Sequence, residues 1–99
     1  MAIMQVTVMP LGTKTTSVGQ YVAEFQKFLT RENIPHTLTD MGTIIAGDVK
    51  ELLDVAAQIH ELPFQKDAKR VVTHIVVDDR RDKKIAIGDK VASVKARLK

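Results

Sequence analysis

The sequence predicts an α+β fold, in which a four-stranded antiparallel sheet carries two helices on one face and a short C-terminal helix follows. Short runs that alternate between apolar and polar residues indicate strands. Two longer runs have apolar residues at every third or fourth position, which indicates amphipathic helices. The order is strand, helix, strand, strand, helix, strand. With the right-handed crossover rule, this order gives the ferredoxin-like βαββαβ sandwich.

Length and composition set the limits of this fold. The chain has 99 residues, so we expect a single domain over residues 1–99 with one hydrophobic core. No apolar run approaches the ~18 residues that a membrane helix needs, and no secretory signal pattern begins the chain. The sequence has no cysteine, which argues against disulfides and thiolate-held metals. We therefore expect a cytoplasmic protein without a membrane partner.

The first half of the chain predicts one strand and one helix. Residues 3–9 alternate as a half-buried strand, and we expect Pro10 to end it. Ser17, with Gln20 three residues later, forms a capping-box pattern that predicts a helix beginning at Val18. The apolar stripe of this helix should lie on the core and consists of Val18, Tyr21, Val22, Phe25, Phe28 and Leu29.

A hairpin forms the centre of the predicted fold. Pro35 breaks the first helix, because the residue before a proline disfavours helical geometry. Residues 36–40 and 43–46 then alternate as two short strands that fold back on each other. We expect Gly42, at the turn, to adopt the positive φ that a tight connection usually needs.

The second half repeats the plan of the first. Asp48 and Glu51 repeat the capping pattern, and the stripe of the second helix consists of Val49, Leu52, Leu53, Ala56 and Ile59. Residues 70–78 are β-branched and apolar on both faces, so we expect this fourth strand to be central or covered. Residues 89–99 predict a short terminal helix with a narrow apolar seam.

The sheet face opposite the two helices is the first candidate for function. We expect it to carry both polar and apolar residues, namely Gln5, Thr7, Met9, Thr37, Thr39, Met41 and His74. Such a face is too apolar to lie in water and too polar to be core. It therefore predicts contact with a ligand or with another subunit. Together with the terminal seam of Val91, Val94 and Leu98, it predicts a homo-oligomer.

Two charged or polar segments have alternative interpretations. The loop over residues 10–17 has hydroxyls and Lys14 before a helix start, where free N–H groups attract phosphate, but we favour plain helix capping as its explanation. The carboxylates Asp78, Asp79 and Asp82 could suggest a metal site. Because basic residues surround them, we interpret them as a solvated surface turn and expect no metal.

The three histidines are too far apart in sequence to predict a metal site. We expect structural roles for His36 and His60, and we regard His74 as a candidate binding residue because it interrupts an apolar strand on the open face. No Ser-His-acid grouping or glycine-framed nucleophile is present, so we expect no catalytic residue and no enzyme activity.

Three segments in the correct order and spacing resemble one family. Residues 6–13, 40–48 and 77–83 closely resemble the small ferredoxin-like thiamine-binding proteins of bacteria, archaea and yeast. The resemblance covers essentially the whole chain. It implies dimers that pair into tetramers through sheet faces and edges, and binding of thiamine or its pyrimidine part as a ligand, with no resident cofactor. Family members often carry Glu where this chain has Ala46, so that carboxylate is missing here.

The residues and the resemblance together predict a site for a flat, weakly polar ring between sheet, loop and neighbouring subunit. The candidate ligand-binding residues are Thr13, Ser17, Thr39, Gly42, Thr43 and His74. RNA binding is disfavoured, because the first and fourth strands have no aromatic residue for base stacking. Acyl-phosphate hydrolysis is disfavoured, because the loop after the first strand has no arginine. A structural or regulatory homo-oligomer without a thiamine ligand remains the alternative.

Overall fold

The computed structural model describes residues 1–12 and 19–99. These residues form four strands: β1 (Ala2–Leu11), β2 (His36–Thr39), β3 (Gly42–Gly47) and β4 (Arg70–Asp79). They also form three α-helices, α1 (Gly19–Arg31), α2 (Val49–Glu61) and α3 (Asp89–Arg97), and a short 3₁₀ helix over Pro63–Lys66. The predicted α+β class and the predicted order of elements are confirmed. The predicted start of the first helix at Ser17 and Val18 lies outside the described residues.

The sheet is antiparallel throughout, with the strand order β2-β3-β1-β4. The longest pairing joins β1 to β4, from Ala2 opposite Asp79 to Leu11 opposite Arg70. The pairing of β1 with β3 ends at Val6 opposite Thr43. Because directly opposed residues point to the same face of a sheet, this register decides which residues of all four strands lie side by side.

One face of the sheet packs against α1 and α2 to form the core. The buried residues of this core cluster are Ala2, Met4, Val6, Val8, Phe25, Leu29, Ile45, Leu52, Val55, Ala56 and Ile59. The stripe of α1 lies on the core as predicted, although Tyr21 and Val22 are only half-buried. In α2, the prediction that Leu53 belongs to the buried stripe was wrong. This residue is 48% exposed, and Val55 is buried instead. A helix turns by about 100° per residue, so Leu53 lies too far around from Leu52 to share its face.

One expected boundary and one expected cap were also wrong. Pro10 does not end β1, since it is paired with Val71 inside the β1–β4 ladder. Among the described residues, residues 8–11 pair with β4 alone, and a proline is tolerated where one side of a strand is unpaired. Asp48 does occupy the N-cap position of α2, but its side chain makes no capping hydrogen bond. The helix therefore begins where predicted without the predicted capping box.

The fourth strand differs most from its prediction. It was expected to be central or covered, but β4 is an edge strand whose single partner is β1. Residues 74–79 are exposed, and Val76 has 65% of its surface exposed. α3 has no buried residue, and Val91, Val94 and Leu98 are exposed. β4 and the segment from α3 to Leu98 therefore each expose a group of three large apolar residues.

None of the helices formed by the described residues is long and apolar enough to cross a membrane.

Candidate ligand-binding site on the open face

The face of the sheet opposite α1 and α2, which we call the open face, carries a row of residues that crosses all four strands. Thr39 lies opposite Gly42, and Thr7 lies opposite His74. A Cβ atom added to Gly42 would lie 2.7 Å from Thr7 Oγ1, so the two pairs are adjacent. We call this set the hairpin row: Thr39, Gly42, Thr7 and His74. Neighbouring strands are ~4.8 Å apart, so the row spans roughly 14 Å.

Gly42 lies in the middle of the hairpin row and is closely packed there. Its φ is +154°, and the predicted positive φ is confirmed. A Cβ at this position would also lie 3.3 Å from Gln5 Cγ and from the Val6 carbonyl oxygen. Only glycine fits both this backbone conformation and this close packing. The floor of the row is therefore bare backbone with a threonine on each side.

The hydroxyls of the hairpin row hold the turn in place. Thr39 Oγ1 donates to the Gly42 carbonyl at 2.7 Å and accepts from the Met41 N–H at 3.3 Å. Thr7 Oγ1 donates to the Met41 carbonyl at 3.2 Å. A hydroxyl has one proton and two lone pairs, so both threonines retain acceptor capacity after these bonds. Toward a ligand, the two threonines therefore present hydrogen-bond acceptors.

His74 differs from the other two histidines of the chain. It is exposed on the open face and forms no hydrogen bond with any residue of 1–12 or 19–99. His36 Nδ1 lies 2.7 Å from the Ile34 carbonyl and must donate to it, because a carbonyl only accepts. His60 Nδ1 shares a 2.7 Å hydrogen bond with Thr73 Oγ1. His36 and His60 thus have structural partners, as predicted, and the imidazole of His74 is available to a ligand.

A second row runs beside the hairpin row and contains two apolar and two polar residues. Its members are directly opposed across the four strands and are Thr37, Ile44, Gln5 and Val76. At the turn, the Met41 side chain is 78% exposed. Methionine is flexible and polarizable and adapts to flat surfaces. The open face therefore combines a few polar atoms with apolar side chains, the usual composition of a small-molecule site.

The structure does not bring all the predicted site residues together. Thr39, Gly42 and His74 lie in the hairpin row, whereas Thr43 points to the opposite face and is only 5% exposed. Thr43 Oγ1 accepts a 3.0 Å hydrogen bond from Gln26 Nε2, which ties β3 to α1. Thr13 and Ser17 lie outside the described residues.

Sequence reasoning placed Thr7 and Gln5 on the open face but did not name either as a site residue. The alternation in β1 gave their face, but it gave no strand partner. Their positions beside Gly42 and His74 follow from the register of β1 with its two neighbours.

The acidic turn after β4 forms ion pairs, as the surface interpretation predicts. Asp79 Oδ2 lies 2.8 Å from Arg81 Nη2, and Asp82 Oδ1 lies 2.6 Å from Arg80 Nε. The hydrogen bond from Arg80 lowers the pKa of Asp82 to about 2. Within the described ranges, no three acidic or histidine side chains are grouped closely enough to hold a metal ion.

Comparison with known proteins gives matches along the whole chain. The model of the thiamine-binding protein family matches residues 4–95. The UPF0045 protein YqgV of Bacillus subtilis is 47% identical over 102 residues, which cover 99% of this chain and 98% of that protein.

Solved structures give the same fold. The protein MJ1052 of Methanocaldococcus jannaschii has a TM-score of 0.82 at 29% identity, with 95% of each chain covered. The Thermotoga maritima protein TM0486, suggested to act in thiamine biosynthesis or salvage, has a TM-score of 0.74 at 16% identity, covering 94% of this chain and 97% of that one. At this low identity, the second likeness concerns the fold alone.

Proposed function

Because the chain belongs to the thiamine-binding protein family, we propose that it is a non-catalytic, oligomeric binding protein for thiamine or its pyrimidine part, acting in the cytoplasm as a carrier or sensor. The observation that carries this proposal is the hairpin row, where two threonine acceptors flank Gly42 and where His74, which has no hydrogen-bond partner among residues 1–12 and 19–99, lies beside Thr7.

The hydrogen-bonding capacity of the row suits an aminopyrimidine. The exocyclic amino group of such a ring donates, and the lone pairs left on Thr7 and Thr39 accept. The ring nitrogens accept, and an N–H of the His74 imidazole can donate to them. Thr7 and His74 are neighbours in the row, so one edge of the ring can meet an acceptor and a donor there. This pairing favours the pyrimidine part as the recognised group.

The shape of the row suits a flat ring. Gly42 adds no side chain, and Thr7 and Gln5 pack closely against it, so the row is low at this point and a flat ring can lie across it. Ile44 and Val76 in the adjacent row offer apolar contact along one side of such a ring. Apolar walls with a few placed polar groups are the usual way in which proteins bind small aromatic ligands.

We propose that a second copy of the chain covers the hairpin row. Small-molecule pockets bury most of the ligand surface, and the open face of one chain is only a shallow surface. The apolar β4 edge presents unpaired backbone groups next to Val76, and such an edge is a template for strand pairing. α3 adds a further exposed apolar seam. We propose dimers that pair into a tetramer.

Titration calorimetry with thiamine, its phosphates and its free pyrimidine tests the function. We expect the parent protein to bind one of these in the micromolar range or tighter. His74→Phe keeps a ring at this position but removes its hydrogen-bonding nitrogens, and it should weaken binding by about fivefold, or ~1 kcal/mol. His36→Phe is the matched control, because it also removes an imidazole but lies outside the hairpin row. Equal losses in the two variants would place the ligand elsewhere.

The alternative is a structural or regulatory homo-oligomer without a thiamine ligand. The exposed apolar residues of β4 and α3 favour it, because they explain an assembly without requiring a ligand. The same titrations separate the two functions. Absence of binding to every compound, with an intact oligomer by light scattering, would support the assembly alone.

A further inference from the structure

A pocket lies apart from the open face, between residues 80–85 and α3. Its volume is about 460 Å³. The residues that line it are Arg80, Lys83, Lys84, Ile85, Asp89, Lys90, Ser93, Val94 and Arg97. Along β4, Arg80 is six residues from His74, or roughly 20 Å at strand spacing. The pocket is therefore separate from the hairpin row.

The wall formed by α3 is one continuous face of that helix. Asp89, Ser93 and Arg97 are each four residues apart, and Lys90 and Val94 form the next row. Asp89 Oδ2 accepts a 2.8 Å hydrogen bond from the Ala86 N–H, which fixes the chain where it enters the helix. The pocket is thus bounded by a regular element on one side and by the turn after β4 on the other.

The charge of the pocket is strongly positive. Five of its lining side chains are basic and one is acidic. Arg80 is paired with Asp82 and Lys90 with Asp78. The other basic residues have no acidic partner within residues 1–12 and 19–99: Lys83, Lys84 and Arg97. Lys83 does help to lower the pKa of Asp82, but it forms no ion pair with it.

We propose that this pocket binds a small phosphorylated anion, either a phosphate monoester or a diphosphate. Three unpaired cations around one concavity favour a ligand with two or more negative charges. A guanidinium can bind phosphate oxygens through two N–H groups, and the Lys ammonium groups act as point charges. Ile85 provides apolar contact for the organic part of the ligand. The inference is independent of thiamine binding at the hairpin row.

Inorganic diphosphate is the probe for this site. At low salt we expect saturable binding by calorimetry, with amide NMR shifts confined to residues 80–97. Lys83→Gln and Lys84→Gln should each weaken binding by about fivefold, and the double variant by more. Lys69→Gln removes the same charge at the other end of β4, roughly 33 Å away at strand spacing, and should leave the affinity unchanged. Higher salt should weaken binding to the parent protein.

Three results would overturn the inference. One is the absence of saturable diphosphate binding to the parent. Another is an equal loss of affinity in Lys69→Gln and Lys83→Gln, since this would show only nonspecific attraction to a basic chain. The third is tighter binding of single-stranded oligothymidylate with shifts that extend beyond residues 80–97, which would indicate a nucleic-acid surface. Thiamine titration of Lys83→Gln gives an independent readout and should match the parent.

Discussion

Replacing Gly42 by alanine tests whether the close packing in the hairpin row requires a glycine at this position. The new Cβ would lie 2.7 Å from Thr7 Oγ1, closer than real Cβ contacts occur, so the threonine must move. Movement would break the 3.2 Å hydrogen bond from Thr7 to the Met41 carbonyl, which is worth ~1 kcal/mol. A non-glycine residue at a φ of +154° adds strain of ~1 to 2 kcal/mol.

We therefore expect Gly42→Ala to lower the free energy of unfolding by ~2 to 3 kcal/mol and the melting temperature by roughly 10 °C or more. Urea denaturation of ligand-free protein measures the first quantity. Gly12→Ala is the matched control, because Gly12 also has a positive φ, +70°, but has no described atom within 4 Å of an added Cβ. In this control, the free energy of unfolding should fall only by the amount that the backbone strain accounts for.

A double-mutant cycle isolates the contact. In a Thr7→Ala background the obstructing hydroxyl is absent, so Gly42→Ala should cost ~1 kcal/mol less than in the parent. The packing argument would be refuted if Gly42→Ala cost no more than Gly12→Ala, or if the Thr7→Ala background gave no relief. Either result would mean that the hydroxyl moves without penalty.

Three further predictions concern the core, the assembly and the acidic turn. Thr43→Val leaves the part-buried Gln26 amide without its acceptor, so it should cost ~1 kcal/mol in urea unfolding and leave thiamine-class affinity unchanged, as calorimetry would show. Light scattering should give the parent a mass of at least twice the 11.0 kDa of one chain. Val76→Lys should lower this mass, because a charge in an apolar interface is costly. The Asp82 pKa falls from 3.8 to about 2 on folding, so the Arg80 pair stabilises the protein above pH 4, and this contribution declines below pH 4 and is lost as the pH falls through 2. Asp82→Asn should accordingly be less stable than the parent at pH 7, and the difference should be much smaller at pH 2.

The sequence by itself determined the features that depend on neighbouring residues along the chain. Alternation in residues 3–9 is enough to identify a strand and its two faces, because successive side chains point in opposite directions. The stripe of α1 and the turn at Gly42 can also be predicted from neighbouring residues. Helical spacing of apolar residues indicates the stripe, and a glycine between two strands indicates a turn with a positive φ. These local signals, in their order along the chain, predicted the α+β sandwich.

Only the tertiary structure decided which residues meet across the sheet. The alternation in β1 shows that Thr7 and Val8 lie on opposite faces of the sheet. Only the register of β1 with its neighbouring strands places Thr7 beside Gly42 and His74. It also turns Thr43 toward Gln26, away from the predicted site, because adjacent residues of one strand alternate between faces.

The edge position of β4 and the pocket beside α3 were likewise beyond the sequence. An apolar strand has the same composition whether it is covered by its own helices or by another chain, so residues 70–78 could not reveal that β4 is an edge. From the sequence, the basic residues after β4 were interpreted as a solvated run, because a sequence gives the charge of each residue but not whether the residues surround a pocket. The tertiary structure places them around one concavity, since the path of the chain after Asp79 brings α3 back toward Arg80.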